Sequence, residues 1–154
     1  MDKKSLLPFK IGELAESRSF QSGFRGAWFR CKINDISLRK RQIEYALEYF
    51  DFPDEKITWT RIYQLHPRYR KKLNEGKREL MVRPQYPPVY HEHQMPPANT
   101  TSEVIVVVDG FWKVGDLVDW WKDGCYWSGR LTQILGNDKV QVRIDSFVHH
   151  FTNC

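Results

Sequence analysis

A six-residue motif that occurs twice constrains the fold of this chain more than any other feature. FKIGEL at residues 9–14 is echoed by WKVGDL at residues 112–117. After each copy come a strand-like run, a turn that contains glycine and an aromatic-rich strand, at residues 27–33 and 126–131. Short strands with glycine turns at this spacing are typical of small β-barrels. The duplication therefore predicts an all-β chain with two small barrels in tandem.

Composition shifts along the chain predict where the two barrels begin and end. Residues 8–84 form the first barrel, and residues 103–154 form the second, opening with a buried apolar strand at 104–108. Between them, residues 85–102 hold four prolines and few aliphatic side chains, which predicts a semi-rigid linker. Little chain remains after residue 142, so we expect the second barrel to be truncated or to borrow strands from the first.

One segment of the first barrel fits two kinds of secondary structure. Ile43, Leu47 and Phe50 have helical spacing, whereas Tyr45, Leu47 and Tyr49 alternate as they would in a strand. A third strand is needed at this point to continue a barrel, so the repeat favours the strand.

Composition and motifs narrow the class of function. Aromatic residues make up 14% of the 154 residues and include six tryptophans, more than a small domain can bury, so some rings should line a surface feature. The three cysteines lack metal-site or paired spacing, and the start of the chain lacks an apolar leader, which predicts reduced thiols inside the cell. Neither a zinc pattern among the histidines nor a catalytic motif is recognisable, so we expect no metal, no cofactor, no membrane partner and no enzyme activity.

Three segments carry a family resemblance. FKIGELAESRSFQSGFRGAWFRCKI resembles the opening of a plant Agenet domain, a member of the Tudor-like family, and KVGDLVDWWKDGCYWSGRL resembles the start of a second one in a tandem pair. RELMVRPQYPP is similar to the strand that closes the first domain. The resemblance implies two strongly bent, five-stranded barrels. It also implies a nuclear chromatin reader, part of a larger protein, in which one barrel binds a methylated histone lysine through an aromatic cage.

A methyl-lysine cage needs rings from separate strands together with a carboxylate. A methylated ammonium keeps its charge but loses hydration, so aromatic faces attract it, by roughly 0.5–2 kcal/mol per contact. A rim carboxylate adds Coulombic attraction. The predicted methyl-lysine-binding residues all lie in the first barrel; they are Phe24, Trp28, Phe29, Tyr49 and Asp51. Adjacent strand residues face opposite ways, so Phe29 and Trp28 cannot both line the cage, and Phe29 is preferred. The predicted peptide-guiding acids are Glu48, Asp54 and Glu55.

Two alternatives stay open at this point. Trp120, Trp121, Tyr126 and Trp127 could form a second cage, although packing against the first barrel is the preferred interpretation. The rival function is nucleic-acid binding, to DNA or RNA, through residues 61–83, which contain eight basic residues and only two glutamates. Residues 39–41 add three more cations. Acidic residues around the aromatic site, at 48–55, favour the tail reader. The histone lysine and its methylation state are not encoded in any recognisable motif.

Overall fold

The computed structural model describes residues 7–65, 78–86, 89–91, 93, 106–108, 112–136, 139–144 and 147–152. The described residues form strands and turns, which confirms the all-β class; whether each set of strands closes into a barrel stays a prediction. No helix among them is long and apolar enough to cross a membrane. The residues divide into two compact units, 1–85 with 120–128, and 86–119 with 129–154.

The first unit is built on one antiparallel sheet in the order β7-β1-β2-β3-β4. A separate two-stranded sheet pairs β5 with β6. The strands are β1 (Leu14–Arg18), β2 (Trp28–Arg39), β3 (Gln42–Tyr49), β4 (Thr58–Thr60), β5 (Tyr63–Leu65), β6 (Arg78–Leu80) and β7 (Val82–Pro84). The ambiguous segment is thus a strand, β3, as predicted. Its alternating residues Tyr45 and Leu47 are fully buried, which a strand with one face on the core requires.

The core of the first unit lies on one face of this sheet. Phe9 packs edge-on against Tyr45, with ring centroids 5.6 Å apart. The remaining buried members come from β1, β2, β3 and the segment around β7, and they are Ala15, Cys31, Ile33, Leu47, Met81 and Val82. Segments that are far apart in the sequence, from Phe9 to Val82, therefore meet in one core.

Some strands of the second unit lie where the sequence did not predict them. They are β8 (Val89–His91), β9 (Val106–Val108), β10 (Leu117–Lys122), β11 (Cys125–Gly136), β12 (Lys139–Ile144) and β13 (Phe147–Thr152), with β10 and β11 divided between the units. β8 lies inside the predicted linker and pairs in parallel with β9. Residues that precede proline favour extended backbone, so a proline-rich stretch can still supply a short strand. The predicted domain boundaries stay a prediction, but the hairpin residues 120–128 group with the first unit.

The duplicated motif folds into the same turn in both units. In the first copy Glu13 N donates to Lys10 O, Gly12 N donates to Ile33 O, and Ile33 N donates to Glu13 O. In the second copy Asp116, Gly115 and Leu131 make the three corresponding bonds. Gly12 and Gly115 have φ of 88° and 98°, the left-handed region that the third residue of a type II turn requires. The sequence repeat is therefore a structural repeat.

Gly12 allows a direct test of this turn. A Cβ added there meets nothing within 4 Å, so substitution acts on the backbone alone. Gly12→Ala should lower the free energy of unfolding by roughly 1–2 kcal/mol, because an L side chain is strained in left-handed backbone. Gly12→Asn should lower the free energy of unfolding by less, because asparagine tolerates left-handed backbone better than alanine does. Thermal denaturation followed by circular dichroism measures both; an unchanged or higher Tm for Gly12→Ala would contradict the assignment.

Candidate functional site

Four aromatic side chains of the first unit meet around Phe29. Its ring centroid lies 5.6 Å from that of Phe24, 6.4 Å from Tyr49 and 5.4 Å from Phe52, with interplanar angles of 60°, 87° and 65°. All four side chains are partly exposed. We call Phe24, Phe29, Tyr49 and Phe52 the ring cluster. Rings set at steep angles to one another can form the walls of a cage.

Strand pairing explains why these rings meet. Cys31 lies opposite Tyr49 in the β2–β3 ladder, so Phe29 and Tyr49 share one sheet face as diagonal neighbours. Phe24 comes from the tight turn before β2, where Phe24 N donates to Gln21 O and Ala27 N donates to Phe24 O. The Tyr49 hydroxyl donates to Ser17 Oγ at 3.2 Å and lies 3.4 Å from Thr58 Oγ1. These contacts hold the Tyr49 ring in place.

An open hollow of about 440 Å³ adjoins the ring cluster. Phe52 belongs to both. The remaining lining comes from the loop between β3 and β4 and from the first residue of β4, with Asp51, Pro53, Asp54, Glu55, Lys56 and Thr58. We call this depression the acidic hollow, since three of its lining residues are carboxylates and one is a lysine. Asp54 and Glu55 are exposed, and neither forms an ion pair with any residue that the structure describes. The hollow can therefore attract a cation.

Asp51 lines the acidic hollow but already has a cationic partner. Arg30 Nε donates to Asp51 Oδ2 at 3.0 Å and Arg30 Nη2 donates to Oδ1 at 2.6 Å, a two-pronged ion pair. The hydrogen bond to Asp51 raises the pKa of Arg30 above its ordinary value. The same guanidinium lies over the Trp121 ring, 4.5 Å from its centroid. The carboxylate predicted to serve the cage is thus largely neutralised by Arg30.

Trp28 lies apart from the ring cluster. It is only 7% exposed, and the guanidinium groups of Arg18 and Arg83 lie over its ring at 5.8 and 4.3 Å. Arg83 also binds the buried Glu16, with Nε donating to Oε1 at 2.8 Å. Trp28 faces away from Phe29 because adjacent residues of a strand point to opposite faces. Of the predicted rings, the structure brings together Phe24, Phe29 and Tyr49.

Glu48 also lies away from the acidic hollow. It is exposed and pairs with Lys32 across the β2–β3 ladder, Nζ to Oε2 at 3.5 Å. Tyr49 follows it on the opposite face of β3, so the alternation that brings the tyrosine to the rings turns Glu48 outward. The predicted acids Asp54 and Glu55 line the hollow, and Glu48 does not.

The hairpin 120–128 supports the ring cluster from within the first unit. Trp127 is 7% exposed and stacks on Phe24, with centroids 6.3 Å apart and planes at 23°. Tyr126 pairs with Trp28 in the β2–β11 ladder. Gly124, at φ 73°, lets the Phe52 ring approach so closely that a Cβ there would lie 3.0 Å from Phe52 Cζ. Phe52 was not predicted from the sequence, although its adjacency to Asp51 was an available signal. The stacking of Trp127 on Phe24 agrees with the preferred interpretation that these rings pack rather than form a second cage.

The basic segment proposed for nucleic-acid binding lies mostly outside the described residues, because 66–77 are not among them. Two of its arginines are bound to carboxylates: Arg61 Nε donates to Glu44 Oε1 at 3.1 Å, and Arg83 binds Glu16. These pairs leave less charge for phosphates than the sequence count suggested.

The described cysteines are poor nucleophiles. Cys31 and Cys125 are fully buried, and burial raises the pKa of Cys31 to about 12 and that of Cys125 to about 11. Thiolate is the reactive form, so both stay protonated at neutral pH. Across the described part of the chain, no group of three histidine, cysteine or acidic side chains is placed to hold a metal ion.

Comparison with known proteins gives one family match. The Agenet domain model matches residues 12–87, which contain strands β1 to β7 and the whole ring cluster. Two solved structures resemble the chain at low identity. The AGD34 segment of Arabidopsis thaliana AGDP1 is 16% identical, with 94% of this chain and 77% of that chain covered and a TM-score of 0.48. Tandem Agenet domain 3-4 of ADCP1 is 17% identical, with 94% and 75% covered and a TM-score of 0.46. No curated protein sequence matches the chain.

Proposed function

Because this chain belongs to the Agenet family through residues 12–87, we propose that it is a non-catalytic reader of a methylated lysine on a histone tail. Agenet domains are binding modules, and tandem Agenet domains of chromatin proteins read histone marks. The observation that carries the finer proposal is the ring cluster, where Phe29 meets Tyr49 at 87° beside the acidic hollow. Location in the nucleus and membership of a larger chromatin protein belong to the same proposal.

The ring cluster supplies the chemistry that methyl-lysine requires. Phe29, Tyr49 and Phe52 come from β2, β3 and the following loop, and their faces stand at steep angles. Each face attracts a cation by roughly 0.5–2 kcal/mol, and a methylated ammonium loses less hydration than an unmodified one when it enters. The rings contact one another in this structure, so binding requires them to separate, as side chains at an interface commonly do.

The acids of the hollow supply the long-range attraction. Asp54 and Glu55 form no ion pair with a described cation and together outweigh Lys56 in the lining of the hollow, whereas Asp51 is held by Arg30. We therefore assign the acidic role to Asp54 and Glu55, and we assign Asp51 to positioning the loop that carries Phe52. A histone tail is rich in lysine and arginine, so carboxylates beside the cage favour its approach and orient it.

Removing a cage ring should abolish preference for the methylated peptide. Phe29→Ala or Tyr49→Ala should weaken binding of a trimethyl-lysine histone peptide by roughly tenfold or more, since each loses about 1–2 kcal/mol of cation–π attraction. Isothermal titration calorimetry with methylated and unmodified peptides measures the change.

Two variants control for nonspecific damage. Tyr49→Phe keeps the ring and loses only the hydroxyl, so methyl preference should persist. Phe50→Ala removes a 49% exposed ring that lines a separate hollow of about 270 Å³, and it should bind as wild type does. If both folded alanine variants, Phe29→Ala and Tyr49→Ala, bound the methylated peptide as tightly as the wild type does, the site would lie elsewhere.

Charge removal at the acidic hollow should weaken binding of any basic tail. Asp54→Asn with Glu55→Gln should lower affinity most at low ionic strength, because salt screens exposed charges over about 10 Å. Asp35→Asn with Glu48→Gln removes the same charge from outside the hollow and should have a much smaller effect. Peptide titrations at two salt concentrations compare the two variants; an equal loss in both would show that only net charge matters.

A further inference from the structure

The far end of the β2–β3 hairpin is a second chemically distinct surface. β4 pairs with β3 only as far as Tyr45, and β1 pairs with β2 only as far as Lys32. Beyond these points the pairs Ser37–Glu44, Leu38–Ile43 and Arg39–Gln42 continue without another described strand alongside. A register shift between Ile33 and Asp35 precedes this part, and such bulges increase the local twist. We call residues 37–44 the ribbon tip.

The turn at the ribbon tip is built from two cationic residues in unfavourable backbone. Lys40 and Arg41 have φ of 47° and 64°, and they form a two-residue loop with the left-handed geometry of a type I′ turn. Asn-Gly is the sequence that adopts this turn most readily. The Lys-Arg pair instead places two exposed cations at the outermost point of the hairpin. Neither cation forms an ion pair with a described residue.

Two further arginines are held in place next to the turn. Arg39 lies over the Trp59 ring at 4.6 Å, and Glu44 binds both Arg39 at 3.5 Å and Arg61 at 3.1 Å. Arg39, Trp59 and Glu44 share one face of the ribbon, as strand alternation and the Ala46–Trp59 pairing require. Glu44 thus offsets part of the charge of Arg39 and Arg61, whereas Lys40 and Arg41 at the turn keep theirs.

We propose that the ribbon tip binds the phosphate backbone of double-stranded DNA. A two-stranded ribbon fits the major groove, and lysine and arginine at its end can neutralise successive phosphates. Leu38 and Ile43 expose 68% and 36% of their surface on the other face, but two apolar side chains are few for insertion into a lipid surface. Charge complementarity thus favours the nucleic acid.

The DNA surface is separate from the methyl-lysine site. Cys31, which pairs with Tyr49, and Arg39 at the tip are eight residues apart along β2, a distance of about 25 Å at the rise of a strand. The acidic hollow and the basic tip thus lie at opposite ends of one hairpin. DNA binding stands on its own charges and does not require that the ring cluster bind a methylated lysine.

The test replaces the turn with the sequence that suits its backbone. Lys40→Asn with Arg41→Gly removes both cations while relieving the left-handed strain, so Tm should stay equal or rise. Anisotropy of a fluorescein-labelled 20-base-pair duplex, with the complete chain in 50–200 mM KCl, measures the dissociation constant and its salt slope. Loss of two phosphate contacts should lower the slope of log K against log salt by about 1.8 and weaken binding several-fold at 100 mM.

The matched control removes the same charge elsewhere. Lys10→Gln with Lys139→Gln alters two exposed cations outside the ribbon tip and should retain the wild-type slope. An unchanged affinity and slope in the tip variant, an equal loss in the control, or binding of the wild type to vesicles with anionic lipid but not to the duplex would each overturn the proposal.

Discussion

The antiparallel pairing of β2 with β3 is the constraint on which the rest of the first unit depends. The register that places Cys31 opposite Tyr49 buries Ile33, Tyr45 and Leu47 in the core and brings Phe29 beside Tyr49 on the same face. A slip by one residue would exchange the two faces of a strand, exposing the core residues and burying Lys32 or Glu48. Core formation and ring placement are therefore consequences of one register.

The pairing also explains how much of the fold the sequence could reveal. The turn of the duplicated motif is determined locally. Its hydrogen bonds join residues of the motif to one another and to a single facing strand, and its left-handed glycine lies within the motif. Its signal was therefore readable, and so was the alternation that makes β3 a strand. The strand Val89–His91 was not predicted. Its parallel partner lies some fifteen residues further along the chain, and the prolines around it predicted a linker instead of a strand.

The candidate site was predictable in its rings and less so in its charges. Phe24, Phe29 and Tyr49 meet as expected because strand alternation and the preceding turn fix them. Asp51 lies two residues after Tyr49 in the sequence, yet its pairing with Arg30 of β2 is a tertiary contact that sequence order does not express. Trp127 lies about one hundred residues from Phe24, so its stacking on that ring depends on tertiary structure alone.

Comparison of the two repeats indicates why the first copy is the better candidate. Ile33 and Leu131 make the corresponding turn contacts, so Phe29 corresponds to Trp127, and Cys31 corresponds to Gly129. Gly129 lies opposite Ile144, whereas Cys31 lies opposite Tyr49, so the second copy has an aliphatic side chain where the first has a ring. Its aromatic residue at the Phe29 position is buried against Phe24. The second copy thus supports the first copy's rings.

The ring cluster beside the acidic hollow is the proposed binding site for a methylated ammonium. Nuclear magnetic resonance tests it most directly, by titrating isotope-labelled protein with a trimethyl-lysine peptide and with its unmodified counterpart. The account predicts that the methylated peptide alone shifts the aromatic resonances of Phe29, Tyr49 and Phe52, with nearby amide shifts in residues 51–58. Shifts confined to other residues, or identical shifts with both peptides, would contradict it.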